Sequence, residues 1–386
     1  VIGLIILGCL LAAGAYKLLR AMYFLRKAKR LNARTAELQT EVDAIRARTA
    51  SGKDEEKARE AAAVVALGFV AEADLDTENA QPVPPEDTAA GAAVTAGDWE
   101  AGADYVGAAG RDWELRWHRV RVLSEVAAED DAFLLAWQAA RPSDPTAALV
   151  NADTAVMVAW NVRGSQAGSQ TTQEQFRLFR ELLLTAREQA HEAQRLADPA
   201  DPVPYMVEQP MAQGLGYAHD EYRKLWSEIV SRDPKNLTAH TTAQQYWSQK
   251  WRGSHELAMD FAREAAAGAA PGELLALLPL VALVEQESWE KDLEPSAFFN
   301  EPAAAAAVDA ALADLAAADP ADRRAVRMRH LLAWLLWWQD RDAEAVEQFR
   351  HIDGYIGALP WRYAGSPKGR YLNARNWAVR VTTPGF

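Results

Sequence analysis

Beyond residue 98, apolar residues recur at intervals of three and four along most of the chain, the spacing of one covered face of a helix. Between Asp198 and Gly268, Tyr222, Leu225, Trp226 and Ile229 form one such stripe, and Leu257, Ala258, Phe261, Ala262 and Ala265 form another. Asp201-Pro202 and Asp233-Pro234 punctuate the entries. An Asp side chain there can accept from free first-turn amides, and Pro at the first helical position loses no intrahelical bond. The stretch predicts two tandem helical hairpins, each with an apolar face that needs a neighbour to cover it. The same pattern predicts helices over residues 111–128, 130–140, 147–162 and 171–197. The last opens on a capping-box spacing, Thr171 to Glu174, and is expected to turn Phe176, Phe179, Leu183, Ala186, Ala190 and Ala193 inward. Residues 272–287 are strongly apolar with Pro279 implying a kink or a break, residues 302–318 are Ala-dominated, and residues 322–339 carry Trp334, Trp337 and Trp338 ahead of a short partner over 342–351. No alternating run bounded by turns predicts a strand. The expected fold class is all-α, a body of helical hairpins over residues 98–352.

Ahead of the body the pattern changes. Residues 1–16 hold no charge, and the next eighteen positions bring Lys17, Arg20, Arg26, Lys27, Lys29, Arg30 and Arg34 without an acid. That order predicts a single transmembrane anchor over residues 1–23, with the basic flank and everything after it in the cytoplasm. The uncharged run is shorter than the roughly 20 residues of a spanning helix; the chain opens on Val1 rather than Met, so residues are expected upstream, and Leu18, Leu19, Tyr23 and Phe24 can extend the apolar surface while Lys17 and Arg20 snorkel. Two alternatives stay open: a lipoprotein signal ending Ile6-Leu7-Gly8-Cys9, with Cys9 acylated and the body extracytoplasmic, and a buried helix. Residues 24–71 are expected to form a helical stalk. Phe24, Leu31, Leu38 and Ile45 repeat every seven, with Ala28, Thr35, Val42 and Thr49 four after each, which fits either a parallel homodimer or a solitary charged helix. Residues 72–97 are rich in Pro, Ala and acids without periodicity and predict a flexible tether. Residues 353–386 are aromatic and basic, a tail or a cap.

Charge narrows the partners. The chain carries −13, while residues 1–50 hold nine Lys and Arg against three acids and residues 51–97 three against ten. Most of the negative charge therefore lies beyond residue 97, which disfavours nucleic acid. Cys9 is the single cysteine, so the body has no intrachain disulfide and no thiolate metal site. His191-Glu192 and His255-Glu256 lack a second His four residues on, the spacing of a zinc-peptidase helix, since Arg195 and Met259 stand there. His219-Asp220-Glu221 sits at a helix entry, where acids favour the positive end of the dipole. No Gly-rich phosphate loop is present, and neither a cofactor nor a metal is expected. An enzyme would need a site assembled from dispersed groups, such as His219, His240 and His255 with nearby acids.

Two short strings stand out. Trp160-Asn161-Val162-Arg163-Gly164-Ser165 closes one expected helix, and Lys250-Trp251-Arg252-Gly253-Ser254 joins two others. In the second, Trp251 can pack under the next helix, Gly253 can supply a turn and Ser254 can cap the helix starting at His255; the rival reading is an exposed Trp and Arg hot spot. With Phe179 and Asp233-Pro234 between them, these strings resemble a bacterial domain family of unknown function built of tetratricopeptide-like hairpins. Its members show Trp-x-x-Arg-Gly-Ser and later Lys-Trp-Gly-Gly-Ser; here Arg252 replaces the first Gly of the second string. The resemblance spans roughly residues 111–285. It implies a helical-repeat fold and makes Trp160, Arg163, Gly164, Ser165, Lys250, Trp251, Gly253 and Ser254 the candidate interaction residues, without implying an activity or a ligand. The expected function is a membrane-anchored scaffold for a protein partner; the alternatives are the dispersed-site enzyme and a structural subunit of an envelope complex.

Overall fold

The computed structural model describes residues 56–164, 172–363 and 365–385, and Gln39 by itself. Two compact units are present, Val1–Gly68 and Phe69–Gly385. The described part of the first is helix α1 (residues 56–66). The expected anchor over residues 1–23 and the heptad seam of the stalk lie outside the described residues. Among the described residues no helix is long and apolar enough to cross a membrane.

The second unit, the body, is all-α, and no strand occurs among its described residues. Four helices open it: α2 (Pro85–Thr95), α3 (Trp99–Gly107), α4 (Trp113–Glu129) and α5 (Ala132–Ala140). Hairpins come next: α6 (Pro145–Arg163) with α7 (Gln173–Leu196), α8 (Val203–Leu215) with α9 (His219–Val230), and α10 (Leu237–Trp247) with α11 (His255–Ala267). The series continues with α12 (Leu277–Trp289), the short α13 (Pro295–Phe299) and α14 (Pro302–Ala317). It closes with α15 (Ala325–Trp338), α16 (Asp342–Ile352) and α17 (Pro367–Thr382).

The amphipathic stripes give these helices their packing. On α7, Phe179, Leu183, Ala186, Ala190 and Ala193 are buried as their spacing predicts, while Phe176 stays 40% exposed. Phe176 lies in the first turn, beyond the reach of the covered face. The cap of α7 is shifted by one residue from the expected pair. Thr172 accepts from the Gln175 N–H and Gln175 reaches back to the Thr172 N–H, leaving Glu174 to bond Arg177. Asp144 does what Asp-Pro predicts, accepting from Thr146 and Ala147 with Pro145 at the first helical position. Asp233-Pro234 instead belongs to the turn before α10, whose cap is Asn236. Asp201 accepts from the Val203 N–H that opens α8 at 2.8 Å, as expected, and its other oxygen binds Arg116 of α4 at 2.8 Å. Pro279 causes no kink, because α12 begins at Leu277 and a first-turn residue needs no amide hydrogen.

Successive first helices, α6, α8, α10, α12, α15 and α17, touch one another, whereas successive second helices make no comparable contact. The row therefore bends toward its first-helix side. That side is where the segment read as a tether lies. Residues 72–97 contain a 3-10 turn (Glu72–Asp74) and α2, and they belong to the body. Asp76 pairs with Tyr355 in an isolated parallel bridge, with the Asp76 N–H on the Gly354 carbonyl at 3.0 Å and the Ile356 N–H on the Asp76 carbonyl at 2.7 Å. Arg323 donates to the Pro82 carbonyl at 2.9 Å, and His330 of α15 to the Ala80 carbonyl at 3.3 Å. The body thus begins at Phe69, about 30 residues before the expected boundary at 98. At its other end the basic tail is also folded: α17 packs on α16 and α15, and the buried Arg375 donates to the Val70 carbonyl at 2.7 Å.

Candidate functional site

The two strings singled out in the sequence meet. Trp160, in the last turn of α6, lies edge-on to Trp251 with ring centroids 5.3 Å apart at 83°, and edge-on to Phe179 at 5.0 Å. The Arg163 guanidinium spans both indoles, 5.6 Å from one and 5.4 Å from the other. Its Nη1 donates to the Gly164 carbonyl at 3.0 Å, and Gly164 closes α6 at φ +76°. A guanidinium is the side chain suited to this position, because its planar, weakly hydrated charge can lie over two π faces. Ser165 lies outside the described residues.

The second string is a tight reversal. After α10 ends at Trp247, the Gly253 N–H bonds the Ser248 carbonyl and the Ser254 N–H bonds the Trp247 carbonyl. A Cβ on Gly253 would stand 1.8 Å from the Trp247 carbonyl oxygen, so only glycine fits. Ser254 caps α11 by accepting from Leu257. Lys250 is held by both carboxylate oxygens of Glu285, at 2.9 and 2.8 Å, and by the Tyr363 hydroxyl at 3.2 Å, while that hydroxyl also donates to Glu285. Arg252, the departure from the second string, places its carbonyl 2.7 Å from Nε2 of His219. Trp160, Arg163, Lys250, Trp251 and Ser254 are thus occupied in joining α6, α7, α10, α11 and α12, and the Arg252 carbonyl adds α9.

The three histidines of the dispersed-site reading have separate surroundings. His219 is on the Arg252 carbonyl. The buried His240 has Nδ1 2.8 Å from the Asn236 carbonyl with its ring against Trp226, and His255 sits 3.7 Å from the Glu290 carboxylate. Burial holds His240 below the ordinary imidazole range. Among the described residues no group of three metal-ligating side chains is assembled.

Sequence reading missed two features on the first-helix side. Glu114, at the start of α4, takes the α10 N-terminus: the Thr238 N–H and hydroxyl donate to its two oxygens at 3.0 and 2.5 Å. Burial pushes its carboxyl above the ordinary range, against the lowering effect of those two bonds. The second is a groove of about 490 Å³ between α4 on one side and the 79–84 segment with α2 on the other. Its wall is fixed by Asp87, a buried carboxylate that takes the Tyr105 hydroxyl at 2.7 Å and lies 2.6 Å from His118 Nε2. The only sequence signal for either feature is the His118, Val122, Glu125, Val126 and Glu129 stripe on α4. It mixes charge with valine on a face that a solvated helix would fill with charge alone. The chain matches no protein-family model, no curated protein and no solved structure.

Proposed function

We propose that the protein is a helical-repeat scaffold that holds a protein partner, tethered to a membrane through its first 23 residues with the body on the cytoplasmic side. The carrying observation is the row of hairpins, in which Lys250, Glu285, Arg163 and Glu114 are spent on joints between helices and the larger cavities among the described residues are open grooves. Helical rows of this kind offer long surfaces suited to other proteins. Here α4 and residues 69–84 occupy the first-helix side, so the partner surface is the second-helix side and the grooves at the margin. Exposed Phe176 and Leu178 on α7 and Leu257 on α11 supply apolar contacts there. The test is a pulldown from membranes with the full chain and with a chain ending at Gly68, the boundary between the two units. The scaffold predicts proteins captured by the full chain alone; the same proteins with both would count against it.

A further inference from the structure

Two surfaces of the body are left incomplete in complementary ways. The first is the groove along α4. Val122 and Val126 line its floor half-buried, Val83 stands 52% exposed opposite, and Glu125 and Glu129, one helical turn apart, have no ionic or hydrogen-bonding partner among the described residues. Like charges at that spacing repel, so a cation brought between them is favoured. The second surface is the outer face of α17. Trp377 is 46% and Val381 56% exposed, and the Arg380 guanidinium stacks 4.8 Å over the Trp377 ring without an acidic partner among the described residues. Nothing from Gly354 to the last residue is acidic, although the chain as a whole carries −13. An apolar stripe edged by a cation faces outward on α17, and a groove floored by valines opens along α4, edged on that helix by the two unpaired carboxylates and lined also by His118 and by Arg323, whose guanidinium is held on the Pro82 carbonyl.

From this complementarity we propose that α17 of one copy docks in the α4 groove of a second copy, Trp377 and Val381 against the valines and Arg380 between Glu125 and Glu129. Both surfaces belong to one folded unit and are fixed in it. The groove wall is pinned by Asp87 with Tyr105 and His118 and by Arg323 on the Pro82 carbonyl, and α17 is packed on α16. The contact therefore forms between copies. It joins unlike surfaces, which makes a head-to-tail association that closes into a ring or extends. Stacked on the indole, Arg380 is already ordered for binding, and Trp with Arg is the composition of an interface hot spot.

The test is charge reversal read by sedimentation of the full chain in detergent, with circular dichroism confirming the fold of each variant. Wild type should self-associate at low salt and less at high salt. Arg380→Glu and, separately, Glu125→Lys with Glu129→Lys should each weaken association by about tenfold. The chain carrying all three changes should associate more tightly than either parent, because the pairing is restored with its signs exchanged. A wild type that is monomeric at every concentration overturns the proposal. So does association unchanged in both parents, as contact through residues 24–50 alone would give, or a triple variant no tighter than they are. Any of these leaves the capture of a different protein partner, and hence the scaffold reading, to its own experiment.

Discussion

His330 shows what one buried side chain contributes at the residue scale. It is fully buried, accepts from the Trp361 indole N–H at Nδ1 (2.9 Å) and donates from Nε2 to the Ala80 carbonyl, so both nitrogens are committed with the ring neutral. Burial pulls its pKa down to about 4 from the ordinary 6.5. Between those values the unfolded chain binds the proton and the folded chain does not. Stability is thus complete above the ordinary value and falls as pH drops toward the depressed one, by on the order of 3 kcal/mol. Urea unfolding at a series of pH values should show that decline, shallower in His330→Phe; an identical slope in the variant would remove His330 as its source. His240, also depressed by burial, keeps the variant's slope from vanishing. Gly253→Ala forces a Cβ against the Trp247 carbonyl, and unlike a side-chain end that backbone cannot swing aside. A loss of about 3 kcal/mol is expected in the same assay, and a loss below about 0.5 kcal/mol, the scale of an ordinary surface change, would show that the turn yields to a side chain.

At the element scale, helices with a continuous apolar stripe were legible and helices held by polar contacts were not. The stripe of α7 identifies its buried face from Phe179 to Ala193. By contrast α2 buries only Asp87, Ala90 and Val94, too few apolar positions to show a period, and it is held through Asp87 by residues 18 and 31 positions away. Local composition carries no trace of partners so distant, which is why a folded segment has the profile of a tether. The same limit applies to Trp160 and Trp251: each string is visible, but their meeting across Arg163 depends on how α6 and α10 both pack on α8. Glu114 makes the point testable. Glu114→Ala leaves the Thr238 N–H and hydroxyl without their acceptor at the start of α10, which should cost about 2 kcal/mol. Hydrogen exchange should rise in the first turns of both α4 and α10. Faster exchange in α4 alone would mean that the carboxylate does not hold the α10 N-terminus.

On the scale of the whole body, the join between its two ends decides how it unfolds. In an open row of repeats each hairpin contacts only its neighbours, so stability adds up locally and end repeats can open by themselves. Here residues 69–84 run from the first helices to the last. Phe69 and Val70 meet Arg350 and Arg375, Asp76 bridges to Tyr355, and Ala80 and Pro82 meet His330 and Arg323. Opening α17 therefore strips Phe69 and Val70 of Arg375, and freeing the 69–84 segment exposes Arg375 and His330, so neither should open alone. Arg375 is the place to test this, because it is 2% exposed and sits between Phe69, Val70 and Tyr371. Arg375→Met keeps most of the side-chain volume but removes the bond to the Val70 carbonyl and both cation–π contacts, a change worth about 2 kcal/mol. Amide exchange should then quicken in α17 and in residues 69–80 by the same factor, while α10 and α11 in the middle of the row keep their protection. If α17 quickens and residues 69–80 do not, the row opens at its end like any linear array, and the segment along its inner side is bound to the first helices independently of the last.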